Sequence, residues 1–251
     1  MQIITSPDNG RIKSVCRLYD KKYRRAERRY VTEGYRNVKD SLPQLVNAEV
    51  YLSESAFAKY RDEFPSAFVC SDAVFAKMSD TENSQGVLCV SDIPAAAIDF
   101  TKNCIFLDAI ADPGNAGTIM RSCLATGFAN VFACRGADCY GPKTVRSAMS
   151  AVSRLNITEC NDAMILGRLK DASYKIVCAD MGGDNLFEKS YGDRKICLVI
   201  GSEANGISKE AAAYADEIVS LPMERIESLN AAVCASIIMY HIRYNQTKIG
   251  G

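Results

Sequence analysis

Three stretches of the chain gather residue types able to bind and polarise a ligand. The first is Asp108-Ala109-Ile110-Ala111-Asp112-Pro113-Gly114-Asn115, continuing as Ala116-Gly117-Thr118-Ile119-Met120-Arg121. The second is Ile200-Gly201-Ser202-Glu203-Ala204-Asn205-Gly206-Ile207-Ser208. The third is Leu221-Pro222-Met223-Glu224-Arg225-Ile226-Glu227-Ser228-Leu229-Asn230. Carboxylates, side-chain amides, a guanidinium and glycine-rich backbone recur in them. Each alone also has a purely structural reading. Asp112 to Asn115 makes a turn and a helix cap. Arg121, nearly two turns further along that helix, reads by itself as a surface arginine. Glu203 would favour a helix N-terminus through the dipole. Ser228 looks like the N-cap of the last helix, with Asn230 in its first turn.

Other chemistries lack their residues. A dinucleotide fingerprint would need glycine where Glu203 stands. There is no GxxxxGK phosphate loop and no GxSxG hydrolase elbow. The only histidine, His241, lies inside the last apolar helix and reads as packed. Eleven cysteines form no CxxC pair, and Cys134 and Cys139 have no further ligand nearby in sequence, so no metal site is expected. Many sit in apolar runs such as KICLVIG, as buried reduced thiols of a cytoplasmic protein would. No run reaches the roughly 18 apolar residues of a membrane helix, and the start, MQIITSPDNGRIK, lacks the apolar centre of a signal peptide. No membrane partner is expected.

The elements that must carry the three stretches alternate strand and helix. With 251 residues, 48% hydrophobic and 24% charged, the chain is ordinary globular material for one large or two small domains. After an opening helix, strands are expected at 30–32, 49–52, 68–70 and 86–90, with helices at 35–42, 53–61 and 72–78. Asp92-Ile93-Pro94-Ala95-Ala96-Ala97 reads as a linker. A second series follows, with strands at 104–110, 131–134, 175–179, 196–200 and 217–221. Its helices are expected at 115–126, 143–150, 161–171, 208–214 and 228–244. This rhythm predicts a mostly parallel α/β sheet. Domains are expected at 1–92 and 102–251. Ligands of such sheets bind beyond the carboxyl ends of the strands, which is where the three stretches fall.

Charge is balanced overall, with 30 basic and 30 acidic residues, but not evenly spread. Arg11, Lys13, Arg17, Lys21, Lys22, Arg24, Arg25, Arg28 and Arg29 are opposed there only by Asp20 and Glu27. Such a run suits a polyanion; equally, it is what a solvated helix face looks like.

Taken together and in order, DPGNAGTIMR, IGSEANGIS and LPMERIESLNAAVCASIIMY resemble the three motifs of the SpoU (TrmH) branch of the SPOUT RNA methyltransferases. SPDNGRIK, RRYVTEGYRNVKDSL and SDTENSQGVLCV are similar to that family's N-terminal substrate-binding domain. The resemblance implies an α/β fold with a C-terminal trefoil knot and a smaller α/β RNA-binding domain. It implies S-adenosylmethionine-dependent methylation of a ribose 2′-hydroxyl, on 23S rRNA in preference to tRNA, by a homodimer. The rivals are a tRNA enzyme, a non-catalytic ribosome-associated RNA-binding protein, and an unrelated nucleotide-binding α/β protein.

Carried over by position, the resemblance makes Arg121, Asn115, Glu203, Ser228 and Asn230 catalytic. Cofactor contacts fall on Ile200, Gly201, Glu203, Leu221, Met223, Ser228 and Leu229. RNA contacts are expected from Arg11, Lys13, Arg17, Lys21, Lys22, Arg24 and Arg25, and the subunit interface from the helix 229–244. One departure stands out: Glu224-Arg225-Ile226 has no glycine where the third motif usually carries one, so this loop must turn differently.

Overall fold

The computed structural model describes residues 3–226 and 228–247. Contacts divide the chain into two units, one of Met1–Ala95 with Tyr140–Arg154, the other of Ala96–Cys139 with Leu155–Gly251.

The first unit opens with β1 (Ile3–Ile4), α1 (Gly10–Arg17), α2 (Lys21–Glu27), β2 (Arg29–Glu33) and α3 (Tyr35–Ser41). It continues with β3 (Glu49–Ser53), α4 (Glu54–Tyr60), β4 (Phe68–Cys70), α5 (Asp72–Met78) and β5 (Val87–Asp92). Its five strands lie in the order β1-β4-β3-β5-β2, with β5 antiparallel to both neighbours. Ile12, Val15 and Leu18 bury against Tyr51, Val74, Phe75 and Leu88.

The basic run folds as two short helices instead of one. Leu18 is buried, and Asp20 caps α2 by accepting the Lys22 N–H at 2.8 Å. Arg24, expected to face RNA, is only 5% exposed; its guanidinium donates to the Leu18 carbonyl at 2.5 Å and holds the break between the helices. Arg24 is therefore corrected from a polyanion contact to a structural residue.

The second unit runs β6 (Cys104–Asp108), α6 (Pro113–Thr126) and β7 (Asn130–Cys134), then, after α7 (Pro142–Ala148), β8 (Asn156–Cys160), α8 (Met164–Asp171) and β9 (Lys175–Asn185). It closes with β10 (Ile196–Gly201), α9 (Lys209–Ala212), β11 (Glu217–Ser220) and α10 (Ala231–Thr247). The six strands order as β11-β9-β10-β6-β7-β8 and all pair in parallel. Being covered on both faces, the central strands are almost wholly apolar, and Phe106, Phe132, Ile176 and Val199 fill the core.

Helix α7 belongs by its contacts to the first unit, although the sequence reading placed 140–154 in the second. The cause is apolar: Tyr140 meets Tyr30 edge-on at 5.1 Å, and Val145 and Ala148 are buried. The two-residue β1 was not expected, and two strands of the second unit also differ from expectation. The unforeseen β8 reads Asn-Ile-Thr-Glu-Cys, a polar edge strand without an apolar run. β9 continues through Gly182-Gly183, because β11 lies so close that a Cβ on Gly183 would sit 2.6 Å from the Ile218 carbonyl carbon.

Candidate active site

In the sheet register, Gly201 at the end of β10 pairs with Asp108 of β6, and Ile200 pairs with Ala179 of β9. The carboxyl ends of three adjacent strands therefore lie side by side. Beyond them is a cavity of about 580 Å³, within the range of small-ligand sites.

Every expected cofactor position lines that one cavity: Ile200, Gly201, Glu203, Leu221, Met223, Ser228 and Leu229. Asn230 lines it too. The loop after β10 folds back on itself: the Ser202 N–H donates to the Gly206 carbonyl at 3.1 Å, and the Gly206 N–H to the Ser202 carbonyl at 2.9 Å. Gly206 has φ +63°, where glycine is favoured. The return is so tight that a Cβ on Gly201 would lie 2.1 Å from the Gly206 carbonyl carbon. The chain's own backbone, before any ligand, excludes a side chain at Gly201.

Asp108 fastens the far end of this loop. It is 1% exposed, accepts the Ser208 N–H at 2.7 Å and faces Arg135 at 3.5 Å. Ser208 caps α9 by accepting the Ala211 N–H.

Asn115 and Asn230 tie the three stretches together. The Asn115 side-chain NH₂ donates to Glu203 Oε1. Its carbonyl oxygen accepts from the Asn230 NH₂ at 2.9 Å. The Asn230 Oδ1 in turn accepts the Ala232 and Val233 N–H groups at 2.9 and 3.3 Å. Asn230, not Ser228, therefore caps α10, and Ser228 is left on the cavity wall. Asn115 itself sits in the first turn of α6, where Asp112 accepts its N–H at 2.7 Å as the cap.

Arg121 is not brought to the cavity. It lies on the exposed face of α6 and is absent from the lining. The opposite face buries Ile119, Met120 and Cys123, and Ser122 bonds Ser236 of α10 at 2.7 Å. His241 is packed in α10, 3.0 Å from the Lys189 carbonyl and edge-on to Phe187 and Tyr191. Among the described residues, no group of three or more His, Cys, Asp or Glu could hold a metal ion, and no helix is long and apolar enough to cross a membrane.

Sequence reasoning missed Ala179, Asp180, Met181 and Cys234 on the lining. The first three end the paired core of β9, and the strand-end rule would have found them. Burial pushes the Cys234 thiol above its ordinary pKa. Asp180 and Glu203 are the charged side chains of the lining, which among the described residues includes no Lys, Arg or His. Apolar walls, exposed strand-end backbone and two carboxylates suit a ligand that is part apolar and part cationic. An adenosyl group on a sulfonium has that character, so these residues fit S-adenosylmethionine.

Solved structures share this fold along nearly its whole length. An AdoMet-bound rRNA methyltransferase from Sinorhizobium meliloti superposes with a TM-score of 0.83 at 24% identity, covering 97% of each chain. The AviRb SpoU methyltransferase of Streptomyces viridochromogenes, with AdoMet, gives 0.83 at 21%, covering 97% of this chain and 99% of that one. At such identities these likenesses speak for the fold. The SpoU rRNA Methylase family matches residues 102–240, and the MRM3-like substrate binding domain matches residues 9–89. The chain belongs to the SpoU rRNA Methylase family. Across 247 residues it is 26% identical to the 23S rRNA (guanosine(2553)-2′-O)-methyltransferase RlmP of Bacillus subtilis, covering 97% of this chain and 100% of that protein.

Proposed function

We propose that the chain transfers a methyl group from S-adenosylmethionine to a ribose 2′-hydroxyl of 23S rRNA. The observation that carries this reading is the convergence of β9 and the loops after β10 and β11 on one cavity, lined by two carboxylates and, among the described residues, no cation, with Asn115 tied to it through Glu203 and Asn230. A relative of matching length that acts on 23S rRNA supports rRNA over tRNA.

Ile200, Gly201, Glu203, Leu221, Met223, Ser228 and Leu229 would hold the donor, largely through backbone and apolar contact. Bound there, S-adenosylmethionine supplies an electrophilic methyl on a sulfonium. Asn115 and Asn230 fix the loop that bears Glu203, and fixed geometry supplies much of the rate in such a transfer. Ser228 stands on the wall with its hydroxyl uncommitted to the cap of α10, available to the ligand. Arg121 holds a phosphate and steadies the charge developing on the 2′ oxygen. This role is electrostatic.

Arg121 lies outside the cavity of its own chain, so the reading includes the homodimer, in which a partner copy offers Arg121 to the site. Val233, Tyr240 and Tyr244 place exposed apolar surface on α10, the helix that packs on α6. That surface supports α10 as the interface. A trefoil knot at the C-terminus is part of the same reading. So is a cytoplasmic location, which eleven free thiols favour. Arg11, Lys13, Arg17, Lys21, Lys22 and Arg25 are exposed on the first unit and meet RNA phosphates.

The test is labelled methyl transfer to separated rRNA and tRNA, with ribose mapping of the product. Label in tRNA alone would move the substrate, and RNA binding without transfer would favour a non-catalytic factor. Arg121→Ala should cut transfer at least about a hundredfold. Its affinity for S-adenosylhomocysteine, read by calorimetry, should stay within about twofold; undiminished turnover would remove Arg121 from the site.

A further inference from the structure

The first unit contains a second polar cleft that the transfer chemistry does not use. It has a volume of about 440 Å³ and is lined by Glu33, Asn37, Thr81, Gln85, Arg36 and Arg146, among others.

Asn37 is the telling residue. It is 4% exposed, and its Oδ1 faces the Ser41 hydroxyl at 3.5 Å, while its side-chain NH₂ is buried without a hydrogen-bond partner. Buried polar groups in native proteins are almost always paired, so a free donor on a cleft wall points to a missing acceptor. Gln85 accepts the Tyr35 N–H at 2.7 Å through its Oε1, which leaves its NH₂ as a second donor on the wall.

The only carboxylate lining the cleft is already committed. Glu33 accepts from the Ser79, Thr81 and Ser84 hydroxyls and from the Asp80 N–H. It shapes the 79–84 loop and has little left to offer a ligand. Two guanidiniums also line it: Arg146, paired with Asp80 at 2.7 Å, and Arg36, whose side chain is 82% exposed and pairs with Asp40 at 3.7 Å. Each ion pair uses only part of a guanidinium's donors, so donors outnumber acceptors on the lining. Phosphates and the carbonyl edges of unstacked bases are ligands rich in acceptors.

We propose that this cleft is a nucleotide subsite, in which Asn37, Gln85, Arg36 and Arg146 grip the phosphate and base carbonyl oxygens of one unstacked nucleotide of the RNA substrate. The inference rests on the reading that the chain acts on RNA, and it adds where a nucleotide away from the methylated one is held. A free nucleotide shares the same chemistry, so the test separates the two sources.

The full chain is titrated with 23S rRNA transcribed in vitro and free of modification, and binding is read on filters. Asn37→Asp and Arg36→Ala should each weaken rRNA binding about tenfold. Arg61→Ala, an exposed arginine outside the cleft, should change it less than about twofold. Binding of S-adenosylhomocysteine by calorimetry reports whether Asn37→Asp is folded. Should it misfold, Arg36→Ala decides, because that side chain lies at the surface. Wild-type rRNA affinity in the folded cleft variants would overturn the proposal. So would tight binding of uridine or guanosine 5′-monophosphate with rRNA affinity indifferent to Arg36→Ala. Failure of the methyltransferase reading looks different: the wild type would transfer no methyl group, yet its rRNA affinity would still depend on Asn37 and Arg36.

Discussion

Gly201 shows how one position can serve a site before any ligand arrives. The glycine-rich stretch was legible as a place for a ligand; that Gly201 makes room for Gly206 was not, because no sequence pattern reports a five-residue return. Gly201→Ala must push the 202–206 loop aside. S-adenosylhomocysteine affinity should fall roughly tenfold or more, and calorimetry on the purified variant checks it. An unchanged affinity would mean that the loop shifts without disturbing the cavity. Arg121 teaches the opposite lesson. Its position on α6 followed from spacing, but whether it meets its own cavity is a matter of where α6 points, and local pattern is silent on that.

At the scale of elements, the strand–helix alternation was readable because buried parallel strands are apolar runs and their helices carry caps. Asp112 opens α6 as the sequence suggested, Gly127 closes it at φ +81°, and Ser208 opens α9. In the second unit two strands escaped. β8 is a polar edge strand, and the second half of β9 hides behind a Gly-Gly pair that normally signals a break. The start of α10 moved from Ser228 to Asn230, since both residues are good caps and only the fold decides which oxygen meets the free N–H groups. The tie between β6 and the loop after β10 makes its own prediction. Asp108→Ala leaves the Ser208 N–H and Arg135 without their shared carboxylate. It should cost about 1–3 kcal/mol in urea unfolding and weaken donor binding in parallel. A loss of stability with donor affinity intact would show that the loop does not depend on this anchor.

The whole molecule carries its thiols as a pH liability. Burial pushes Cys70 up to about 11, and Cys89, Cys160 and Cys178 up to about 12. In the unfolded chain such thiols ionise near pH 8.5. The folded state then binds more protons than the unfolded one above that pH. Stability is full below it and falls as pH rises toward the folded values. Urea midpoints at pH 7.5, 9 and 10.5 should decline stepwise, by at most about 1.4 kcal/mol per thiol per pH unit. A flat profile would mean that these thiols ionise in the native state. The proposed dimer makes a second prediction at this scale. Mixing refolded Arg121→Ala with Gly201→Val chains, each inactive alone, should restore about a quarter of wild-type transfer. Half the dimers would then be mixed, each with one complete site. Continued inactivity of the mixture would confine Arg121 to its own chain.

The stretch from Tyr140 to Arg154 means that the polypeptide leaves the first unit, returns to it, and leaves again. The two units are therefore not beads on a string. A gene fragment starting at Ala96 would carry Tyr140, Val145 and Ala148 without the partners that bury them, and should be poorly soluble. Replacing the first unit by a relative's would need two exchanges, the leading segment and this inserted one.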